Sequence, residues 1–231
     1  MNSLLFGESL TRQLDLIPMK ALDRSIAIIG AGAIGGWTTL SLAKMGFINL
    51  TVFDFDTVDT VNLSSQLYRF KDLKKPKVQA LNEIVEDFTC FSINAVNDKF
   101  VGGNIANDIV ISAVDSIDAR KKIWESVKKN GFVKMFIDPR MGAEHAALYV
   151  INPHDEKDIA AYEKTLTSDE QALHEPCTRK ATQYCALALS GLVCAQVKAI
   201  ATNSDYSRIT QWNIPSGSFM AWSKSGKELQ K

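Results

Sequence analysis

Three glycines, Gly30, Gly32 and Gly35, stand between a short apolar run and a helical pattern. In that setting each has a separate task. Gly30 permits a tight turn, Gly32 lets the backbone approach a phosphate, and Gly35 lets helix and strand pack closely. The helix start adds unsatisfied N–H groups and a partial positive charge, both of which favour an anion. The chemistry implied is the holding of nucleotide phosphates. Asp54 follows Gly30 by 24 positions and ends the next strand pattern, where a carboxylate accepts hydrogen bonds from ribose hydroxyls. Asp56 has the same parity and faces either that crevice or solvent. Asp115 ends the apolar run DIVISAVD. A carboxylate there suits Mg²⁺, a hard cation held by one or two carboxylates plus phosphate oxygens; the alternative is a cap for the helix starting near Asp118. Asn62, Gln66 and Lys77 follow the two acids. A nicotinamide enzyme has no need of that continuation, whereas an enzyme splitting ATP at its α-phosphate does.

The elements that must position these groups alternate. Strand patterns cover residues 25–29, 49–54, 91–96, 108–113, 133–137 and 146–151, and helical patterns cover 33–45, 77–87 and 118–129. Alternation of this kind predicts an α/β fold: a Rossmann-like, mainly parallel sheet flanked by helices. The strand at 146–151 is expected to be antiparallel, on the C-terminal side. Residues 152–180 read as a loop with one short helix, and 181–201 as a long apolar helix rich in small residues. Beyond Asn203 the pattern is polar and weak, with Trp212, Phe219 and Trp222 available to anchor an extended tail.

With 231 residues, 46% of them hydrophobic, the chain can bury one sizeable core. Its 26 basic and 26 acidic side chains balance, which points to neither nucleic acid nor an anionic membrane as a partner. The N-terminus lacks the basic start and apolar core of a signal peptide. The longest apolar stretch has about 13 residues, short of the roughly 20 a bilayer needs. The four cysteines form no CxxC pair, against a disulfide framework or a zinc site. A cytoplasmic protein with reduced thiols is expected. Cys177 precedes the long apolar helix and has Arg179 and Lys180 beside it, an environment that favours a thiolate. Cys185, Cys194 and Cys90 read as packing residues, and His145, His154 and His174 show no metal spacing.

The ordered set TRQ (11–13), the glycine turn, DFDTV, NL-x₂-Q, KPK, Asp115 with Arg120, and IDPRMG (137–142) resembles the ubiquitin-activating-enzyme-like adenylyltransferases, the ThiF/MoeB/HesA family. The resemblance covers roughly residues 10–200. It implies a helical lead-in (1–22), an ATP-binding adenylation domain (23–202) and a C-terminal tail (203–231). It also implies ATP and Mg²⁺ as cofactors, with Asp54 on the ribose, Asn62, Gln66 and Lys77 around the nucleotide, and Asp115 linked to magnesium. Arg12 is implied to reach into a partner subunit's site, hence a homodimer. The acyl substrate implied is the C-terminal glycine of a ubiquitin-like β-grasp protein, with Cys177 aligned as a thioester-forming cysteine. One departure stands out: Ser65 occupies the place of an arginine that contacts the triphosphate. Arg69 is the first substitute, then Arg120 or Arg140. The rivals are a NAD-dependent oxidoreductase, a non-catalytic ATP-binding member of the family, and a member activating a small-molecule or RNA-attached carboxylate.

Overall fold

The structure is a computed structural model describing residues 2–166 and 181–223. Its strands are β1 (Ile26–Ile29), β2 (Leu50–Phe53), β3 (Asn94–Val96), β4 (Ile109–Ser112), β5 (Met135–Gly142), β6 (His145–Ile151), β7 (Ser207–Asn213) and β8 (Ser218–Ser223). They form one sheet in the order β3-β2-β1-β4-β5-β6-β7-β8. The first five ladder in parallel, and the last three continue the sheet antiparallel. β1 and β4 are four-residue strands buried throughout, apolar but for Ser112 at the end of β4, as suits central parallel strands covered on both faces. In β1, Ile26 and Ile28 enter one core cluster, while Ala27 and Ile29 enter the other.

The first cluster lies under α2 (Ala33–Lys44), α3 (Lys77–Thr89) and α6 (Gln183–Ala201). The second lies under α4 (Ile117–Lys128) and α5 (Glu156–Glu163), where Trp124, Phe136 and Tyr162 pack ring against ring. The lead-in holds the helix α1 (Asn2–Ser9) and two single 3₁₀ turns, Thr11–Gln13 and Met19–Ala21.

Two expectations change. The segment read as an extended tail is the hairpin β7–β8, closed by a turn in which Gly217 adopts φ +68°. Its strands are half covered at best, so their sequence is too polar to alternate clearly. The hairpin is tied to α5 by the ion pair of Arg208 with the buried Asp158. The expectation that the longest apolar stretch is too short for a bilayer also changes: α6, at 19 residues within the predicted 181–201, is long and apolar enough to cross one by length and composition. Its inward residues Cys185, Leu189, Val193 and Val197 are nevertheless buried in the first cluster, and Ser190 Oγ donates to the Ile34 carbonyl of α2 at 3.1 Å.

Candidate functional site

β1 and β4 are neighbours, but the chain leaves them in opposite directions. From β1 it crosses to β2, and from β4 to β5, with α2 and α4 on opposite faces. A crevice opens outside the carboxyl ends of strands at such a reversal, and the glycine turn and Asp115 are its two lips. Gly30 takes φ +101°, and a Cβ on it would sit 2.5 Å from the Ala113 carbonyl oxygen, so the lips touch. A Cβ on Gly35 would lie 1.8 Å from the Gly30 carbonyl oxygen, whereas one on Gly32 would meet nothing within 4 Å. Gly32 is also the N-cap of α2 and supplies no side-chain cap. The helix start therefore has no side-chain cap and has open space over Gly32, the arrangement a phosphate requires.

These spaces separate two substitutions. Gly35→Ala is expected to wreck the turn, costing more than the roughly 1–3 kcal/mol of ordinary overpacking because the obstacle is backbone. Gly32→Ala is expected to melt near the wild-type temperature and to weaken nucleotide binding. Circular-dichroism melts of both, with nucleotide titration of the second, check this.

Asp54 binds the turn from below. Its Oδ2 accepts from Ala31 N (2.6 Å) and its Oδ1 from Asp56 N (2.8 Å). Tyr68 completes the clamp by donating from its hydroxyl to the Ala31 carbonyl at 2.6 Å. Burial pushes that phenol far above its ordinary range, with the acids 54, 72 and 56 adding to the effect, so it remains a donor. Asn62 ends a 3₁₀ turn, and its Oδ1 accepts from Asp59 N at 2.9 Å. Gln66 Oε1 is buried without a hydrogen-bond partner among the described residues. Lys77 opens α3, with its side chain 8% exposed and its Nζ 2.8 Å from Asp56 Oδ2.

Asp115 is exposed just past β4, and no hydrogen bond or ion pair engages its carboxylate among the described residues. It does not cap α4. That task falls to Ser116, whose Oγ accepts from Ala119 N. Groups of three or more metal-ligating side chains do not occur among the described residues. A lone carboxylate still fits Mg²⁺ when phosphate oxygens supply other ligands.

The substitutes expected for the missing arginine are engaged elsewhere. Arg69 gives Nε and Nη2 to Asp72 (2.8 and 3.0 Å) and Nη1 to Asp87 (2.8 Å), with Glu83 at 3.6 Å. It braces the loop against α3. Its acids at 72, 83 and 87 were readable as neighbours of that helix and outweigh the short distance from Ser65. Arg120 is 4% exposed and donates to Asp138 Oδ1 (2.5 Å) and to the Val114 and Pro139 carbonyls (2.8 and 3.3 Å). Arg140 donates to Asp138 Oδ2 (2.8 Å) and to the Thr165 carbonyl and hydroxyl (2.9 Å each). The fully buried Asp138 also accepts from Tyr162 Oη at 2.9 Å. The sequence reading missed Asp138 as the hub of this network, though its place between a buried strand and Arg140 was a signal.

Arg12 lies exposed in the 3₁₀ turn before β1, without an ion-pair partner among the described residues. Cys177, with His174, Arg179 and Lys180, lies outside the described residues. Cys185 and Cys194 are buried, and burial pushes their thiols up to about 11 and about 12. Cys90 is exposed at the left-handed C-cap of α3 rather than in the core.

The family model described as "ThiF family" matches residues 10–227. The chain belongs to the ThiF family. Curated relatives include the NEDD8-activating enzyme E1 catalytic subunit of Arabidopsis thaliana, 36% identical over 104 residues, which are 42% of this chain and 23% of that protein. The ubiquitin-like modifier-activating enzyme 5 of Drosophila erecta is 33% identical over 119 residues, covering 44% of this chain and 30% of the relative. This ThiF chain thus matches less than a third of those relatives' length. Among solved structures, E. coli MccB with ATP superposes with a TM-score of 0.71 at 15% identity, over 93% of this chain and 71% of that one. PaaA superposes with a TM-score of 0.72 at 17% identity, over 94% and 82%. At those identities the ThiF fold is what is shared, including the mixed sheet.

Proposed function

We propose that this ThiF chain is an ATP-dependent adenylyltransferase that activates a carboxylate. The observation that carries the reading is the crevice at the β1/β4 reversal, where an uncapped helix start over Gly32, the turn-clamping Asp54 and the unengaged Asp115 meet. The triphosphate lies against the α2 N–H groups and Lys77, and the ribose against Asp54. Asn62 and the partnerless Oε1 of Gln66 line the approach. Mg²⁺, held through Asp115, supplies neutralising charge to the triphosphate. The substrate carboxylate oxygen attacks the α-phosphorus, the bond to the β-phosphate oxygen breaks, and pyrophosphate leaves with its electron pair. Fixed N–H groups and an ammonium aimed at the developing charge lower that barrier, and most of the remaining work is holding two anions in line.

The substrate we favour is the C-terminal glycine of a ubiquitin-like protein, since both curated relatives are named as activators of such modifiers. Arg12, unengaged and exposed, is proposed to complete the site of a second protomer in a two-fold homodimer. The protein is proposed to work in the cytoplasm. ATP–pyrophosphate exchange dependent on the acyl partner tests the reading, and a thermal-shift comparison of ATP–Mg²⁺ with NAD tests the oxidoreductase alternative. Stabilisation by NAD alone would favour the latter.

We further propose that Cys177 thiolate attacks the acyl-adenylate and expels AMP, leaving a thioester. Intact mass spectrometry is expected to show a thiol-cleavable acyl adduct that vanishes in Cys177→Ala; an adduct that persists there removes Cys177 from the mechanism.

One observation favours a second reading, a non-catalytic ATP-binding protein. Ser65 replaces a cation, and Arg69, Arg120 and Arg140 are all committed to acids. Tight ATP binding without exchange for any carboxylate partner would select it.

A further inference from the structure

Lys77 presents a physical problem that Asp56 solves. The ammonium belongs to the first residue of α3, where the helix's partial positive charge repels a cation. Its side chain is 8% exposed, so it has also lost most of its hydration. An ammonium in that position gains from a hydrogen-bonded acid that replaces the lost water and fixes its direction. Asp56 is that acid, at 2.8 Å, and its backbone carbonyl also accepts from Lys77 N at 2.9 Å. Asp56 is itself placed by the crevice: its N–H donates to Asp54 Oδ1, while Asp54 Oδ2 accepts from Ala31 of the glycine turn. One chain of hydrogen bonds therefore runs from the glycine turn through both acids to the lysine. The pair is also asymmetric, because the Asp56 side chain is 49% exposed. Water screens that carboxylate, so a polyanion arriving at the crevice can take its place on Lys77.

We propose that Asp56 is a positioning residue that holds the Lys77 ammonium in its aim, and that it competes with the ATP triphosphate for the same ammonium. The inference rests on the adenylation reading and assigns Asp56 a task distinct from that of Asp54. Two consequences pull in opposite directions. Removing the Asp56 charge frees Lys77 for the triphosphate, so ATP binds more tightly. It also releases the aim of the ammonium, and misplacement of a charge-stabilising group by about an ångström costs up to roughly a hundredfold in rate.

Asp56→Asn keeps the shape, and a circular-dichroism melt checks that the variant is folded before it is assayed. The expected result is a several-fold lower Kd for ATP–Mg²⁺ by titration calorimetry, with a kcat for pyrophosphate exchange roughly tenfold lower. Lys77→Met and the double variant close the cycle, and in the Lys77→Met background the Asp56 change is expected to alter neither value. Unchanged kinetics in Asp56→Asn, a rise in KM alone, or the same effect with Lys77 already gone would each overturn the inference. Wild-type protein that neither binds ATP nor exchanges pyrophosphate would instead overturn the adenylation reading, and this inference with it.

Discussion

Arg120→Met is expected to lower folding stability by about 3–5 kcal/mol, because it strands a buried carboxylate. Asp138 is fully buried and receives three side-chain donors, of which Arg120 Nε is the nearest at 2.5 Å. The guanidinium also donates to the Val114 and Pro139 carbonyls, so methionine removes a charge partner and the donor to two backbone carbonyls in one step. For a chain of this size the loss corresponds to a fall in melting temperature of roughly 6–20 °C. Arg120→Lys separates the charge from the fork: an ammonium can restore the ion pair but cannot reach all three acceptors, and an intermediate loss is expected. Burial, with the Asp138 carboxylate beside it, pushes the Tyr162 hydroxyl well above its ordinary range, so that donor persists at any physiological pH. A melting temperature within 2–3 °C of wild type for Arg120→Met, equivalent to about 1 kcal/mol, would mean that Arg140 and Tyr162 suffice to hold the carboxylate.

Asp115→Ala is expected to have the opposite profile: an intact fold and abolished chemistry. Its side chain is exposed and engages none of the described residues, so folding stability is expected to stay within about 0.5 kcal/mol of wild type. ATP–pyrophosphate exchange is expected to fall by at least roughly a hundredfold, the scale on which a single charge-stabilising group acts. Asp54 and Asp56 cannot cover the loss, because they already hold the glycine turn and Lys77. Exchange persisting at the wild-type rate in Asp115→Ala, at saturating Mg²⁺, would remove Asp115 from the metal assignment.

The parts legible in the sequence share a cause: each is dictated by local geometry. Gly30 and Gly35 are fixed by what a Cβ would strike, and the positions of Asp54 and Asp115 follow from strand length. What escaped the sequence depends on which partners close in three dimensions. Arg69 was assigned by its closeness to Ser65, yet Asp72 takes two of its nitrogens and α3 folds back to bring Asp87 to the third. Asp138 gathers donors from α4, its own strand and α5. The hairpin β7–β8 was hidden because only Thr210 and Ala221 of its strands are buried, too little covering to impose an apolar alternation.

The parallel pairing at the centre of the sheet also sets the order of assembly. Ile26 of β1 lies beside Ile109 of β4, so the two lips of the crevice come from segments made far apart in time during synthesis. Until the later one leaves the ribosome, β1 exposes an apolar edge that nothing can cover. Such long-range pairing folds slowly and leaves intermediates prone to association. Nucleotide affinity should therefore appear late and abruptly during refolding, and yield in expression should respond more to chaperone supply than to changes on the surface.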